Sequence, residues 1–491
     1  MADSSSTAVE YTDVIVVGAR CAGSAVAMTM ARAGRRVIVL DSAQFPSDTL
    51  STHLLWPGGL AELDALGVLD QAEELGAPRL TSAFAAGAGY RVPSEFAPAD
   101  GIDYAMCVRR TGLDAVLVGA ARTAGAEVRE RCRVLELVWA DDRCAGVRYR
   151  DRADAVVELR APLVVGADGR RSTVARLCGA IEPFLHTPSG RECYYAYWRE
   201  GSPSWRHIAA QWRAGRDLGT AFPCDDGLVL SLVQPPVSAE PALGPGRAEQ
   251  RYAEAIARIP GLAERLRDCE RVGRVRAATG IASYFRRSSG PGWAWGGGGG
   301  GGAATSTPSY PRRARGGGGG WAGAAAHFKD PVTAQGIRDA LRYGRLLAET
   351  AAPLLEHPKA LDLALTHWAD RRLRECLPIY QWTNRLARAE DMHPLEIELY
   401  RTATRDRALA AAVTGIFSRT TEPGAVFTPR RGGGGGGGGG GGPPPPPPRG
   451  RGAGWGGGGP RPPTSRIRSR RMVFATPCAT ADCSPRPRPR C

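Results

Sequence analysis

The chain has 491 residues, a formal net charge of +15 at pH 7 and 43% apolar residues. This length predicts two or three domains, and the apolar fraction excludes a wholly disordered chain. A strongly basic body would suggest a polyanionic partner. However, segment 430–491 carries a net charge of +11 and segment 296–320 carries +3, and both are rich in glycine. The remaining body is almost neutral, so we expect no nucleic-acid partner.

Cysteine spacing and targeting signals give a second set of exclusions. The twelve cysteines form no C-x-x-C pair and no spacing with histidine that is typical of a metal site. No apolar stretch approaches the roughly 18 residues that span a bilayer. The first residues, Met1 to Asp13, are acidic and polar, unlike a signal peptide. We therefore expect a cytoplasmic protein without metal or membrane span.

The N-terminal elements predict a strand, a helix and a second strand. Residues 13–17 are a short β-branched run, as in a buried parallel strand. Small residues from about Ser24 to Ala33 predict a helix that Gly34 ends, and residues 37–40 predict the next strand. This order is typical of a nucleotide-binding unit.

The later elements divide the chain into sheets and helices. Apolar spacing from Leu113 to Gly125 predicts a helix, and alternation over 128–165 predicts a meander. Residues 190–235 predict a separate antiparallel sheet, and the pattern from Gly336 to about Ser418 is helical. Beyond Pro429, glycine and proline tracts predict no fold.

A glycine-rich turn follows the first strand. It has Gly18 and Gly23 at its ends and reads Arg20, Cys21 and Ala22 between them, so Arg20 occupies the place of the usual middle glycine. Asp41, at the end of the second strand, is placed to bind a ribose. The turn predicts a dinucleotide site with Arg20 as a phosphate ligand, and an ordinary tight turn is the alternative.

Two further motifs carry a family resemblance. Gly166 to Arg176, which includes Asp168 and Gly169, resembles the Asp-Gly motif of flavoprotein monooxygenases of the 4-hydroxybenzoate hydroxylase type. The segment from Gly323 to Ile337 is similar to that family's Gly-Asp-Ala-x-His segment. The resemblance, which covers roughly 10–429 apart from the insert, implies FAD as the cofactor.

The resemblance also implies residue roles. In the third motif His327, Pro331 and Gly336 would border FAD, and Ala324 stands where the family has its ribityl-binding Asp. Arg109 and Arg110 resemble a helix start that contacts FAD in that family, with surface arginines as the alternative. In the loop Thr49 to Asp70, which aligns with the segment along the flavin ring, His53 is a candidate for proton transfer, with structural packing as the alternative. The aromatic residues Tyr195, Tyr197 and Trp198 are candidates for the substrate pocket, with sheet packing as the alternative.

The predicted fold class is α/β, with a discontinuous Rossmann-like FAD-binding domain, an antiparallel substrate sheet and a helical C-terminal part. The predicted FAD-binding parts are 10–80, 101–185 and 275–350, the last with the low-complexity insert 296–320. The predicted substrate-domain parts are 81–100 and 186–274. A helical region at 351–429 and a disordered tail at 430–491 complete the division.

By resemblance, the function is that of an FAD-dependent monooxygenase. NAD(P)H would reduce the flavin, and O₂ would supply an oxygen atom to a small organic substrate, aromatic or polyketide- or isoprenoid-like. A flavin-dependent halogenase is disfavoured because no lysine precedes Lys329. The alternatives are a reductase of isoprenoid double bonds, a nucleic-acid-binding protein that uses the Arg/Gly tail, and a gene product that keeps the fold without cofactor.

Overall fold

A computed structural model describes residues 9–49, 51–239, 246–295 and 326–427 of the chain. The predicted insert at 296–320, the predicted disordered tail at 430–491 and Ala324 lie outside the described residues. The predicted domain boundaries remain predictions.

The described residues form 22 strands in five sheets. In chain order the strands are β1 (Val9–Tyr11), β2 (Val14–Val17), β3 (Val37–Leu40), β4 (Leu54–Leu55), β5 (Ser82–Gly87), β6 (Tyr90–Glu95), β7 (Met106–Cys107), β8 (Glu127–Arg129), β9 (Arg133–Ala140), β10 (Arg143–Arg150), β11 (Val156–Arg160), β12 (Leu163–Gly166), β13 (Leu185–Thr187), β14 (Cys193–Arg199), β15 (Ile208–Ala214), β16 (Asp217–Pro223), β17 (Leu228–Gln234), β18 (Glu270–Ala278), β19 (Ser283–Phe285), β20 (Ser289–Gly290), β21 (Trp293–Trp295) and β22 (His327–Phe328).

The same residues form twelve α-helices and three short 3-10 turns. The helices are α1 (Cys21–Arg32), α2 (Pro57–Ala65), α3 (Leu69–Glu73), α4 (Arg110–Thr123), α5 (Thr173–Leu177), α6 (Arg247–Ala257), α7 (Pro260–Arg265), α8 (Gly336–Ala351), α9 (Pro358–Ala387), α10 (Pro394–Ala403), α11 (Arg407–Ser418) and α12 (Pro423–Val426). The 3-10 turns are Pro203–Trp205, Pro331–Thr333 and Ala352–Leu354.

The sheet that positions the site is largely parallel. Its order is β20-β21-β12-β2-β3-β8, and only β20 runs antiparallel to its neighbour. All four residues of β2 and of β3 are buried, as continuous β-branched runs in a covered parallel sheet should be. Helix α1 packs against β2, β3, α4 and α8. It begins at Cys21 and not near Ser24, because Arg20 already adopts the extended conformation of a helix-capping position.

The predicted meander forms its own sheet beside the parallel one. Strands β9, β10 and β11 follow one another in antiparallel pairs, and β1 adds to β11 in parallel. A third small sheet joins β13, β19 and β22. Its last strand, β22, lies within the third sequence motif.

The predicted antiparallel sheet is present and larger than residues 190–235. It has seven strands in the order β18-β14-β17-β16-β15-β5-β6, with β5 and β15 parallel and the other pairs antiparallel. Because neighbouring residues of a strand point to opposite faces, β14 contributes to two separate cores. Helices α6 and α7 cover one face, and the other face packs towards β4 and β7.

The C-terminal part is helical, as predicted. Helix α9 is 30 residues long and contains Pro378. Helix α11 contacts β6, and α9 contacts α8. Within the described ranges, the structure contains no helix that combines the length and apolar character needed to cross a bilayer.

Candidate active site

The turn after β2 brings the first motif close to the second. Gly18 has a φ of +99°, and a β-carbon there would lie 2.5 Å from the carbonyl oxygen of Ala167. A β-carbon on Gly23 would lie 1.8 Å from the carbonyl oxygen of Gly18. Only glycine therefore allows this approach of helix and turn. The start of α1 has no side-chain cap, so its first amides are available to an anion.

Asp41 stands at the end of β3, beside this turn. Its carboxylate accepts hydrogen bonds from the backbone amides of Ala19 and Ala43, each at 2.7 Å. Burial raises the pKa of Asp41, although the two amide hydrogen bonds oppose that shift. Asp41 is thus held in a fixed orientation beside the turn, where the sequence predicts a ribose ligand.

Arg20 and Arg110 share one buried acid. The Asp114 carboxylate has no exposed side-chain surface and accepts from Arg20, and Arg110 binds it in a fork at 2.9 and 3.0 Å. Two guanidinium groups and one carboxylate leave a net positive charge at the start of α1. Sequence reasoning missed Asp114, although its spacing of four residues after Arg110 on a helix was a usable signal.

Arg109, the neighbour of Arg110, is directed elsewhere. Its Nε lies 2.6 Å from the Asp225 carboxylate, and its other arm pairs with Asp226 in the turn between β16 and β17. The structure therefore does not bring Arg109 to the predicted cofactor residues. The reason is local: Arg109 is the extended residue before α4, whereas Arg110 is the first helical residue.

The second motif forms a capped turn after β12. The Asp168 carboxylate accepts from the amides of Thr173 and Val174 at 2.8 and 3.2 Å and from the Ser172 hydroxyl. Burial raises its pKa to about 6 despite these donors. Gly169 has a φ of +80°, which a turn of this kind requires. Asp168 is therefore held in place by the start of α5.

The third motif surrounds the start of α8. Pro331 opens a short 3-10 turn capped by the Asp330 carboxylate, and Gly336 is the first residue of α8. His327 is buried and stacks on Phe285 with ring centroids 4.2 Å apart. Neither of its ring nitrogens has a hydrogen-bond partner among the described residues. Burial, with nearby positive charges, holds its pKa well below the usual range, so the ring is neutral.

All three motifs line one cavity of about 630 Å³. The predicted residues on its wall are Gly18, Arg20, Cys21, Ala22, Asp41, Arg110, Asp168, Gly169, His327, Pro331 and Gly336. The wall of this cavity also carries more basic than acidic side chains. Six are cationic, namely Arg20, Arg110, Arg133, Arg170, Arg171 and Lys329, and three are acidic, namely Asp41, Asp168 and Asp330. This wall therefore favours an anionic ligand. Ala22 contributes only small-residue packing there.

The predicted catalytic and substrate residues do not line this cavity. His53 is buried, and its Nε2 is 2.8 Å from the hydroxyl oxygen of Tyr197. Tyr195 and Tyr197 belong to the core that faces β4 and β7. Trp198 points to the opposite face of β14, where its indole donates to the Tyr252 hydroxyl at 2.8 Å. The structure thus groups His53 with two of the three aromatic residues and separates Trp198.

Comparison with known proteins finds a family match for the part of the chain that contains the first two motifs. Residues 11–185, which contain the first two motifs and Arg110, match the family described as FAD binding domain. This part of the chain is therefore similar to FAD-binding domains. The predicted resemblance to FAD-dependent flavoproteins is confirmed.

Relatives of the FAD-binding domain have several activities. The chain is 35% identical over 175 residues to a menaquinone reductase of Mycolicibacterium smegmatis, covering 34% of this chain and 40% of that protein. It is 33% identical over 179 residues to a 6-methylpretetramide 4-monooxygenase of Streptomyces rimosus, covering 34% and 41%. The chain thus matches about two fifths of the length of these relatives.

The fold extends beyond the FAD-binding domain. The myxobacterial chondrochloren halogenase CndH, an FAD-dependent halogenase, superposes with a TM-score of 0.63 and 21% identity, covering 84% of this chain and 97% of that one. At this identity the likeness concerns the fold alone. The predicted fold class is confirmed.

The residues of the cavity fit FAD. The uncapped start of α1 and the surplus of arginine match a diphosphate, which carries negative charge and many acceptors. The buried His327 nitrogens lack protein partners in the described part of the chain, as expected beside a polar ligand. The wall near α8 also carries apolar side chains, including Leu232, Ile281 and Phe328, which suit a flat ring.

A second cavity, which sequence reasoning did not find, lies next to the first. It has a volume of about 130 Å³ and separates the seven-stranded sheet from α9, α10 and α11. Val332 lines it, whereas Pro331 lines the first cavity, so a single 3-10 turn divides the two. The Trp56 indole lines it as well and donates to the carbonyl of Thr333 at 3.0 Å. The strands and helices that form this cavity are distant in sequence, so no local pattern marks it.

Proposed function

We propose that the protein is an FAD-dependent oxidoreductase that uses NAD(P)H and O₂ to oxygenate a small organic substrate. The observation that carries the proposal is the meeting of all three sequence motifs on one cationic cavity within an FAD-binding domain. The second cavity, next to the first, supports a substrate site. Its wall is mainly aliphatic and aromatic, with Trp56, Phe222, Trp382, Tyr400 and Phe417 among its residues.

In this proposal the residues of the protein bind FAD and the substrate, orient them, and exclude water. When bound, FAD would supply the electron transfer and the activation of O₂. Arg110 and the start of α1 would hold the diphosphate, and Asp41 would hold the adenosine ribose. The start of α8, at Gly336, would help to hold the flavin through its first amides. The apolar turn at Val332 would keep the substrate and the ring in a water-poor space.

A flavin-dependent reductase is the second candidate. The relative named menaquinone reductase favours it, because that protein and this chain share the FAD-binding part at 35% identity. In a reductase, the electrons would pass to an apolar quinone or to an isoprenoid double bond, and no oxygen atom would enter the product. The same cavities would serve both reactions.

Two measurements test the proposal. The purified full-length chain, mixed with FAD and desalted, should retain the yellow flavin absorbance and oxidise NADH or NADPH. A protein that stays colourless after this treatment would overturn the proposal. In the second measurement the FAD-loaded protein is supplied with NAD(P)H, ¹⁸O₂ and either a quinone or an aromatic polyketide as the candidate substrate. One ¹⁸O atom in the product supports the monooxygenase. A reduced product free of the label supports the reductase.

The variant Gly23→Ala tests whether FAD binds at this cavity. It replaces the glycine at which α1 approaches the turn after β2, where a β-carbon would meet the Gly18 carbonyl oxygen at 1.8 Å. If the wild type binds FAD at the cavity described, this variant should not retain it. Equal retention by both proteins would place FAD elsewhere on the chain.

A further inference from the structure

A buried cluster of charges lies directly beneath the start of α8. The Lys329 Nζ is 2.6 Å from the Asp339 carboxylate, and Arg338 approaches the other oxygen of that carboxylate at 3.0 Å. Arg419, from the end of α11, lies 3.9 Å from Asp339. The side chains of Lys329 and Asp339 are 3% and 0% exposed. Sequence reasoning assigned no role to any of these four residues.

The cluster has more positive than negative charge. Among the described residues, Asp339 is the sole carboxylate within 4.0 Å of Lys329, Arg338 or Arg419. Three cations therefore share one anion, and one of the three, Lys329, is buried while Arg338 and Arg419 are 14% and 10% exposed. Burial alone would raise the pKa of Asp339, but the three cations outweigh it and hold that pKa well below its usual range. A buried surplus of charge is costly unless an anion compensates it.

Lys329 connects this cluster to the cofactor cavity. An ammonium group has three donors, and two of them are used, by Asp339 and by the Gln335 side-chain oxygen at 3.1 Å. Lys329 also lines the cavity together with Pro331 and Gly336. The third N–H donor of Lys329 therefore has no partner in the described part of the chain, and Lys329 is one of the residues that line the cavity. The amides of the first turn of α8 add positive potential at the same place.

We propose that Lys329 donates a hydrogen bond to the flavin ring of bound FAD and, with Asp339 as its positioning partner, makes the site bind reduced FAD more tightly than oxidised FAD. The inference rests on the proposed function, because it requires FAD in the first cavity. It concerns which oxidation state the site prefers, and not whether FAD binds.

The electron balance explains why one lysine can have this effect. Reduction of FAD by two electrons with uptake of one proton leaves the ring with one more negative charge than before. A fixed cation at the ring edge therefore stabilises the reduced form more than the oxidised form. The shift in reduction potential between free and bound FAD is proportional to the logarithm of the ratio of the two affinities, so this residue tunes the potential of the bound cofactor.

The test compares affinity ratios in FAD-loaded, full-length protein. The Kd of oxidised FAD is measured by quenching of flavin fluorescence. The bound potential is measured by anaerobic dithionite titration with a redox dye. Lys329→Met should lower the ratio of reduced to oxidised affinity about tenfold, which is about 30 mV for a two-electron couple. Asp339 keeps Arg338 as a partner in this variant, so no buried carboxylate is left unpaired.

Three further variants make the result specific. Lys329→Arg keeps the charge and should restore most of the wild-type ratio, which a purely structural role would not predict. Lys329→Gln is a second uncharged replacement and should reproduce the fall if the Met variant does not fold. Lys359→Met removes the remaining lysine of the chain, an exposed residue at the start of α9, and should leave the ratio unchanged.

The outcomes separate the two proposals. If wild type and the uncharged variants bind FAD with the same affinity ratio, the role of Lys329 is overturned and the proposed function stands. If the wild type binds no FAD, the proposed function fails and the role of Lys329 fails with it. A tenfold fall in the Met or Gln variant, with recovery in the Arg variant, supports the inference.

Discussion

The hydroxyl oxygen of Tyr197 lies 2.8 Å from Nε2 of His53, and the two rings are stacked with centroids 5.9 Å apart. His53 belongs to the segment before α2 and has a φ of +58°, whereas Tyr197 belongs to β14 of the seven-stranded sheet. The pair thus joins the segment before α2 to the seven-stranded sheet. Burial, together with the charges of Arg110, Arg276 and Arg109, lowers the pKa of His53 to about 3.

This lowered pKa predicts a loss of stability in mild acid. Between pH 6.5 and 3 the unfolded chain binds a proton at His53 and the folded chain does not. The contribution of His53 to folding stability is therefore fully present above pH 6.5 and is lost progressively as the pH falls below 6.5. At pH 5 the expected loss from this residue is roughly 2 kcal/mol. The variant His53→Asn lacks the titrating ring, and Asn tolerates the positive φ at this position. Urea unfolding at pH 7 and 5 should therefore show a smaller loss of stability for this variant than for the wild type.

The exposed His367 provides the control for this experiment. His367→Asn should lose as much stability as the wild type between pH 7 and 5. If His53→Asn also loses as much as the wild type, His53 is not buried in the neutral form.

Adjacent arginines should differ in their effect on FAD binding. Arg110 lines the cavity, and Arg109 pairs with Asp225 outside it. A hydrogen bond to a charged group contributes about 1.5–3 kcal/mol, so Arg110→Met should weaken FAD binding by roughly 10- to 100-fold. Arg109→Met should leave the Kd nearly unchanged. Fluorescence titration with FAD measures both, and equal losses would contradict the site geometry.

Two helical glycines should respond in opposite ways to alanine. At Gly23 a β-carbon would collide with the Gly18 carbonyl, whereas at Gly119 in α4 nothing lies within 4 Å. Gly23→Ala should destabilise the protein by about 1–3 kcal/mol through overpacking. Gly119→Ala should stabilise it by about 0.5–1 kcal/mol through helix propensity. Midpoints of chemical denaturation provide the comparison, and a stabilised Gly23→Ala would contradict the tight turn.

Cys107 should be an unreactive thiol in the folded protein. It is buried, and its Sγ lies 3.3 Å from that of Cys224. Burial, with the neighbouring Cys224, raises its pKa well above the usual value, so little thiolate forms at pH 8. Iodoacetamide at pH 8, followed by peptide mass spectrometry, should modify Cys107 far more slowly than the partly exposed Cys178. In urea the two rates should converge, and similar rates in the native protein would contradict the burial.

The sequence by itself determined the local parts of the cofactor site. The strand, turn and helix at the N-terminus follow from β-branched runs, from glycine and from the small residues of α1, and all of these act over a few residues. The resemblance of three motifs, in order, was enough to predict FAD and the α/β fold. The division of charge also came from the sequence, because the basic segments are contiguous.

The tertiary structure alone decided which side chains meet. Arg109 and Arg110 are neighbours in sequence but face different partners, because the helix begins between them. Tyr197 and Trp198 separate for a similar reason, since alternate residues of β14 point to opposite faces. The Lys329 cluster and the second cavity join segments up to hundreds of residues apart. Such contacts depend on how sheets and helices pack, and local sequence carries no signal for a partner that only the folded chain brings near.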